Sequence, residues 1–518
     1  LSTRKQTVSI FPVPPPVGGI NVRDPANRLP QTDASYIYNW YPLQSSLLAR
    51  GLEVTARDLT GTQGIKGFFN WVNDYDVDTC ILTTDSKIFV LADPSTPFVA
   101  TDITSPVTIT NGATNAAPFN GYLFVVNGTD PVIRVDRSPA CTNPGFTGPS
   151  PDDSVLSQVC AYRNRLYFVE KSSLSIWYGG VDFVSGALTE LDLSSVFESP
   201  SNLMFVTAWT TNQGNQNEEL LVVVSRRGEV LLYSGDNPEA ANWQLIGRTF
   251  IPTVLGPKAF CKLGNDLIIY TKLGPVPLSS AISSGALPSD EYNISSKILK
   301  AFASFAFGAD GNFPMDSNRA VMVRDEILPI LYVNAEGVIY TLNYQTGAWA
   351  IFDVTTKPET LCYAFGNLML GKNATPEITY IQPILGTASA GSYPDFGLGT
   401  NTGSARSLIT GWLNLGREEV MKKIVAIRLY SAVPVSSLTT SSTYTITVYS
   451  GLQPAYQSAS DTKTITVTAS GSLPGVTEFR PNATPATWFQ FDVSVASGGS
   501  ADEFLGMDIE FEELGGAY

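Results

Sequence analysis

Between about residues 60 and 390 the chain repeats one local pattern. A short run rich in Val, Ile, Leu, Tyr and Phe is followed by a polar turn and, in most copies, a second such run. The pattern is centred on residues 80–91, 121–127, 164–169, 220–233, 265–270, 330–342 and 366–381. Its anchors Leu123, Leu166, Leu221, Leu267 and Leu331 stand 43 to 64 residues apart. Runs this short are strands, and the Gly, Asn and Asp between them supply turns. A lone unit of this kind cannot bury its apolar faces, so neighbours must stack. A divergent period of roughly 40–50 residues with several strands per unit is that of a β-propeller blade. The expectation is an all-β chain built on a propeller of six or seven blades, some of them incomplete.

Two units share a further detail: Gly, a short apolar run, Tyr, a polar turn, then Trp. One runs from Gly337 through Tyr340 and Gly347 to Trp349, the other from Gly228 through Tyr233 and Gly235 to Trp243. The glycines fit a turn that needs positive φ, and the Trp fits a side chain filling the gap between blades.

The flanks read differently. Residues 1–55 stand apart as an arm and interface segment, with Pro12–Pro16 extended. Residues 56–390 form the propeller. Residues 391–518 form a small antiparallel β-sandwich with strands near 422–430, 443–449, 462–468 and 488–493. Residues 386–407, rich in Gly, Ser, Thr and Ala, read as a linker. The alternating end, Phe504 to Glu513, reads as a half-buried strand returning to the core or the propeller. Helical spacing is scarce; the best candidates are 32–38 and 295–305, the latter with Ile298, Leu299, Phe302 and Phe305 on one face.

Composition limits the chemistry. There is no histidine in 518 residues, which removes Ser-His-Asp and Cys-His catalysis and every His-ligated metal. The five cysteines, Cys80, Cys141, Cys160, Cys261 and Cys362, are widely spaced and suggest buried thiols of a chain folded in a reducing cytosol. A net charge of −15 argues against ordinary phosphate-gripping nucleic-acid binding, although not against a channel through which a polyanion slides. No secretory signal is recognised, and no apolar run approaches the ~18 residues of a membrane span.

The remaining motifs are weak. Asp74, Asp76 and Asp78 alternate as in a calcium loop, but Thr79 occupies the position that needs Gly, so a hairpin turn is the better reading. Ser234-Gly-Asp236 ahead of Trp243 has the wrong spacing for a sialidase-type Asp-box. A glycosidase would need a carboxylate pair, and the candidates Asp85, Glu170, Asp236 and Asp353 are as well explained by turns. The pairs Arg163/Arg165 and Arg226/Arg227 read as solvated hairpin tips rather than a phosphate clamp. No cofactor or metal is expected.

Two segments together carry a resemblance. The first is Gly18-Gly-Ile-Asn-Val-Arg-Asp-Pro25, then Asp33-Ala34, Asn39-Trp40-Tyr-Pro42 and Leu48-Ala-Arg-Gly51. The second runs from Cys160 through Asn164-Arg165-Leu-Tyr-Phe-Val169 to Trp177-Tyr178, then Gly186, Leu193 and Phe197. They are similar to lines found in the nozzle, or tail tubular protein B, family of short-tailed (podovirus-type) bacteriophages. The ending Asp508-Ile-Glu-Phe-Glu512 fits the family's usual last strand. The resemblance implies a structural virion protein made in the host cytoplasm, without catalysis or membrane insertion. Six copies would form a ring at the distal end of the tail, below the adaptor ring. That ring would seal and then conduct the DNA without reading its sequence, and would carry fibres or spikes on its side. The inserted domain of some family members is not evident. Structural or interface roles are expected for Pro14, Gly18, Gly19, Asn21, Arg23, Asp24, Trp40, Asn164, Arg165, Trp177 and Trp349. Two other classes remain open: a receptor- or carbohydrate-binding propeller adhesin, and, with less support, a propeller glycosidase or lyase.

Overall fold

The computed structural model describes residues 8–59, 64–72, 78–92, 99–199, 201–212, 217–284, 294–300, 319–335, 338–354, 357–372, 377–381, 405–432, 439–452, 459–470, 475–496 and 503–516. Within them, the seven sequence repeats become seven antiparallel meanders, over residues 67–102, 115–142, 156–192, 203–250, 260–277, 322–352 and 358–381. The chain is an all-β propeller with seven blades. The fifth has three described strands, and the helix Leu278–Ser284 packs beside the last of them. Each blade packs on the next through its first strand. The final contact, Pro358–Ala364 against Gly67–Val72, closes the circle.

The local reason is burial on both faces. The middle strands of a blade are covered by neighbours on either side, so they read as continuous apolar runs rather than alternating ones. Leu220 to Val224 and Val230 to Tyr233 are all buried. The core is accordingly divided into clusters, most of them between successive blades. Phe124, Phe146, Phe168 and Trp177 join the second blade to the third. Tyr167, Ile176, Val206 and Leu231 join the third to the fourth.

Closure uses the two ends of the propeller segment. The strand Glu53–Asp58 is the outer strand of the seventh blade, pairing with Glu377–Ile381 from Glu53↔Ile381 to Asp58↔Glu377. A buried ion pair, Lys372 Nζ to Glu53 Oε1 at 2.7 Å, fixes the same seam.

The first 55 residues do not stand apart, which corrects the sequence expectation. The strand Val8–Val13 pairs along its whole length with the last strand, Glu503–Gly516. That last strand also pairs with Val420–Ala432 and with Leu47–Leu48, so it returns to the core of the sandwich and, among the described residues, makes no ladder with a blade. The region 32–38 is not a helix. Asp33–Tyr38 is a strand held between Ala348–Phe352 of the sixth blade and Arg406–Thr410 of the sandwich. Its Ser-Tyr-Ile-Tyr run suits a pleated surface, and two open ladders were there to receive it. One sheet therefore runs unbroken from the sixth blade into the sandwich, ending on Thr439–Gly451 and Ala459–Ser470. The four sandwich strands expected from the sequence are all present. The candidate helix at 295–305 begins as a 3-10 turn, Ser296–Ile298, and its residues 301–305 lie outside the described ones. So does most of the expected linker, although its last residues, Arg406 and Ser407, belong to a strand.

The hairpin around the alternating aspartates is formed, with Val72 opposite Asp78. Asp74 and Asp76 lie outside the described residues. No helix among the described residues is long and apolar enough to cross a membrane.

Candidate functional site

The junction between the sixth blade and the sandwich gathers most of the residues singled out in the sequence. Pro14 follows the first strand and leads the chain toward it. Gly19 has φ +82°, and a Cβ there would lie 2.3 Å from the backbone N of Trp349. A Cβ on Gly18 would lie 2.0 Å from Asp33 Oδ1. Both glycines are needed because the backbone lies directly on its neighbours. Trp349 is fully buried. Its indole N–H donates to the Ile294 carbonyl at 2.8 Å, and its ring meets Tyr340 edge-on at 6.5 Å.

Asn21 organises the turn that follows. Its Oδ1 accepts the backbone N–H groups of Arg23 and Asp24, each at 3.1 Å. Its Nδ2 donates to Asp24 and to Asp33, each at 2.9 Å. Asp33 is buried, and Lys297 supplies its countercharge at 3.0 Å while also donating to the Gly18 carbonyl at 2.9 Å. Arg23 reaches out to Asp24 at 3.1 Å at the surface. Hydrogen bonds from Arg23 and then from Asn21 hold the Asp24 carboxyl below the usual carboxylate range.

The next residues continue the weld. Asn39, at φ +57°, donates to the Ala405 carbonyl at 2.6 Å and accepts the Asp353 N–H at 2.9 Å. Arg50 is buried and donates to the Asp353 carbonyl at 2.5 Å. Trp40 is fully buried, with the Arg406 guanidinium 4.8 Å above its ring and Phe504 6.4 Å away. Lys297 and Arg406 carried no sequence signal, and Asp353 was considered only as a catalytic carboxylate. They lie hundreds of residues from the segment they hold, and none belongs to a recognisable motif.

Asn164, Arg165 and Trp177 form a separate group in the third blade. Arg163 and Asn164 take positive φ in a two-residue hairpin turn. The arginines beside it are not free tips, contrary to the sequence reading. Arg163 donates to the Glu219 carbonyl at 3.0 Å, and Arg165 donates to those of Gly179 and Asp236 at 2.9 and 3.1 Å. Tyr162 adds a bond to the Gly235 carbonyl at 2.7 Å. The third blade thereby satisfies the carbonyls of Glu219, Gly235 and Asp236 in the fourth. Trp177 donates to Glu170 at 2.8 Å within the core. Trp243 lies between blades, stacked 5.1 Å from Tyr233 and 6.4 Å from Tyr167. In the fourth blade, Arg226 is half-buried and Arg227 exposed at the turn.

The carboxylates considered for catalysis each have a structural partner. Asp85 holds Lys66 at 2.5 Å and the Gly112 N–H at 2.8 Å. Glu170 holds Trp177, Asp236 accepts from Asn242 at 2.8 Å, and Asp353 accepts the Tyr38 hydroxyl. Among the described residues no three His, Cys, Asp or Glu side chains are grouped to hold a metal. The five cysteines are free thiols, and burial pushes Cys141 and Cys160 up to about 12.

No protein-family model matches the chain, and no curated protein does. Among solved structures, the chain is similar to the extracellular domain of a hybrid two-component system from B. thetaiotaomicron. The TM-score is 0.43 at 10% identity, over 64% of this chain and 40% of that longer one. It is also similar to the WD40 β-propeller domain of Doa1, with TM-score 0.37 at 9% identity over 64% of this chain and 97% of that one. YCF48 from Cyanidioschyzon merolae gives TM-score 0.38 at 11% identity over 64% and 98%.

Proposed function

We propose that this chain is the subunit of the distal tail ring, the nozzle, of a short-tailed bacteriophage. The observation that carries the reading is the pair of resembling segments, and in particular the N-terminal one. Its residues Gly18, Gly19, Asn21, Asn39, Trp40 and Arg50 are the ones that weld the propeller to the sandwich. A ring subunit needs its two parts held at a fixed angle, because a small hinge error in each copy would prevent closure. A sheet shared by the sixth blade and the sandwich supplies that stiffness.

The role is structural, without a catalytic step. Six copies surround a channel below the adaptor ring, hold the DNA end before infection, let the duplex slide out afterwards, and carry fibres or spikes on the outer side. With 47 acidic against 32 basic residues, the lumen is lined mainly by Asp, Glu, Asn, Ser and Thr. Each fixed cation facing the duplex would strengthen the non-specific grip by releasing counterions. Electron microscopy of the purified chain or of the virion tests the assignment. An open six-fold ring supports it. A monomer or trimer that binds glycans or a receptor would favour an adhesin instead.

A further inference from the structure

Lys258 lies in the turn that enters the fifth blade, just before the strand Phe260–Leu263. Its Nζ donates to the Lys66 carbonyl at 3.4 Å and stands 5.3 Å from the centre of the Phe69 ring. Lys66 and Phe69 belong to the start of the first blade. The first and fifth blades are not neighbours in the ring, because the sixth and seventh lie between them on one side and the second to fourth on the other. A side chain that joins the entries of these two inner strands must therefore cross the axial channel.

Its surroundings are unusual for an interior cation. Lys66 has Asp85, Lys87 has Asp102, Lys297 has Asp33 and Lys372 has Glu53. For Lys258 no carboxylate partner is found among the described residues. Asp85, the partner of Lys66, is engaged by that lysine and by the Gly112 N–H. An aromatic face and one long carbonyl contact are poor replacements for hydration. Burial pulls the ammonium down to about 7, and no opposing charge among the described residues holds it up. Yet the residue is only half-buried, so part of it still meets solvent.

We propose that the mouth of the axial channel beside Lys258 and Phe69 is a binding site for a small oxyanion, of the phosphate or carboxylate kind, whose charge completes the Lys258 ammonium. The site is independent of the role proposed for the whole chain. The anion would sit on the solvent side of the ammonium, opposite the Phe69 ring.

The test uses the full chain, an acetylating ester and mass spectrometry of each lysine at pH 7.5 in an otherwise anion-poor buffer. Without added oxyanion, Lys258 acetylates readily, because burial leaves much of it neutral at this pH. Inorganic phosphate slows Lys258 by about threefold, as expected at this pH if the bound charge lifts its pKa by about one unit from about 7. Chloride at equal ionic strength has no such effect. Acetate in place of phosphate tells whether one carboxylate suffices. Calorimetry with phosphate then compares the native chain with Lys258→Met and Lys258→Arg, each checked for native circular dichroism. Binding lost in the methionine variant and kept in the arginine variant supports the site. Labelling unaffected by both phosphate and acetate, or phosphate binding unchanged in Lys258→Met, overturns it.

Discussion

Replacing Trp349 by alanine should test the junction harder than any other single change. The side chain is fully buried, its indole N–H is bonded to the Ile294 carbonyl at 2.8 Å, and it packs edge-on to Tyr340. Truncating a buried aromatic costs about 3–5 kcal/mol through lost transfer energy and the residual cavity. The orphaned carbonyl adds about 1 kcal/mol. Relaxation into the cavity is limited, because the Gly19 backbone already lies against the Trp349 backbone and cannot move inward. The expected loss is therefore about 4–6 kcal/mol. Guanidinium denaturation followed by tryptophan fluorescence and by far-ultraviolet circular dichroism measures it. The two probes also show whether propeller and sandwich still unfold together. A loss below about 1 kcal/mol, with both probes unchanged, would mean that Trp349 is not the core residue described above.

Three further outcomes are expected. Gly19→Ala should cost about 2–4 kcal/mol, since it forces a side chain into positive φ and into the Trp349 backbone; thermal melts check it, and a neutral result would refute the close approach. Removing residues 1–17 deletes the strand Val8–Val13 and uncovers an edge of the last strand. The sandwich should melt earlier, the propeller should stay folded, and assembly should weaken; an unchanged sandwich transition and intact assembly would reject this. The third outcome concerns pH. A lysine in an unfolded chain titrates near 10.4, whereas Lys258 in the fold is held down to about 7. Between those values the unfolded state binds more protons, so stability rises with pH, while below about 7 the penalty is constant. In dilute buffer without oxyanions, denaturation midpoints at pH 7 and pH 9 should give a gain of about 2 kcal/mol that Lys258→Met lacks. Equal gains in both chains would contradict it.

The propeller was legible because its signal is local. Each blade needs several short apolar runs and a turn, all within one stretch of sequence, and all seven repeats became blades. Ring closure was not legible. The strand Glu53–Asp58 belongs with Glu377–Ile381 across more than three hundred residues, and its own pattern is unremarkable. The arm misled for a related reason. Pro14, Pro15 and Pro16 suggest an extended arm, but they do not say whether the preceding Val8–Val13 lies on a neighbour or, as here, on the chain's own last strand. Tyr36 and Tyr38 at alternate positions fit a strand, yet Ala34, Ile37 and Tyr38 also fit one helical face. The two open ladders on either side decided the matter. At the junction, Gly18, Gly19, Asn21 and Trp40 stood out by type and order. Lys297, Asp353 and Arg406 matter through tertiary contacts that no spacing rule encodes. The same holds for Lys258, whose significance comes from the axial channel it crosses.

The central claim is that this propeller and sandwich form one wall segment of a six-fold tail ring. Single-particle electron microscopy of the purified full chain tests that most directly. The account predicts rings of six copies around an open channel, each copy showing seven blades and a sandwich joined through the sixth, with a lumen poor in Lys and Arg. Isolated monomers or closed trimers at concentrations where virion proteins assemble, with the same fold but no ring, would contradict it.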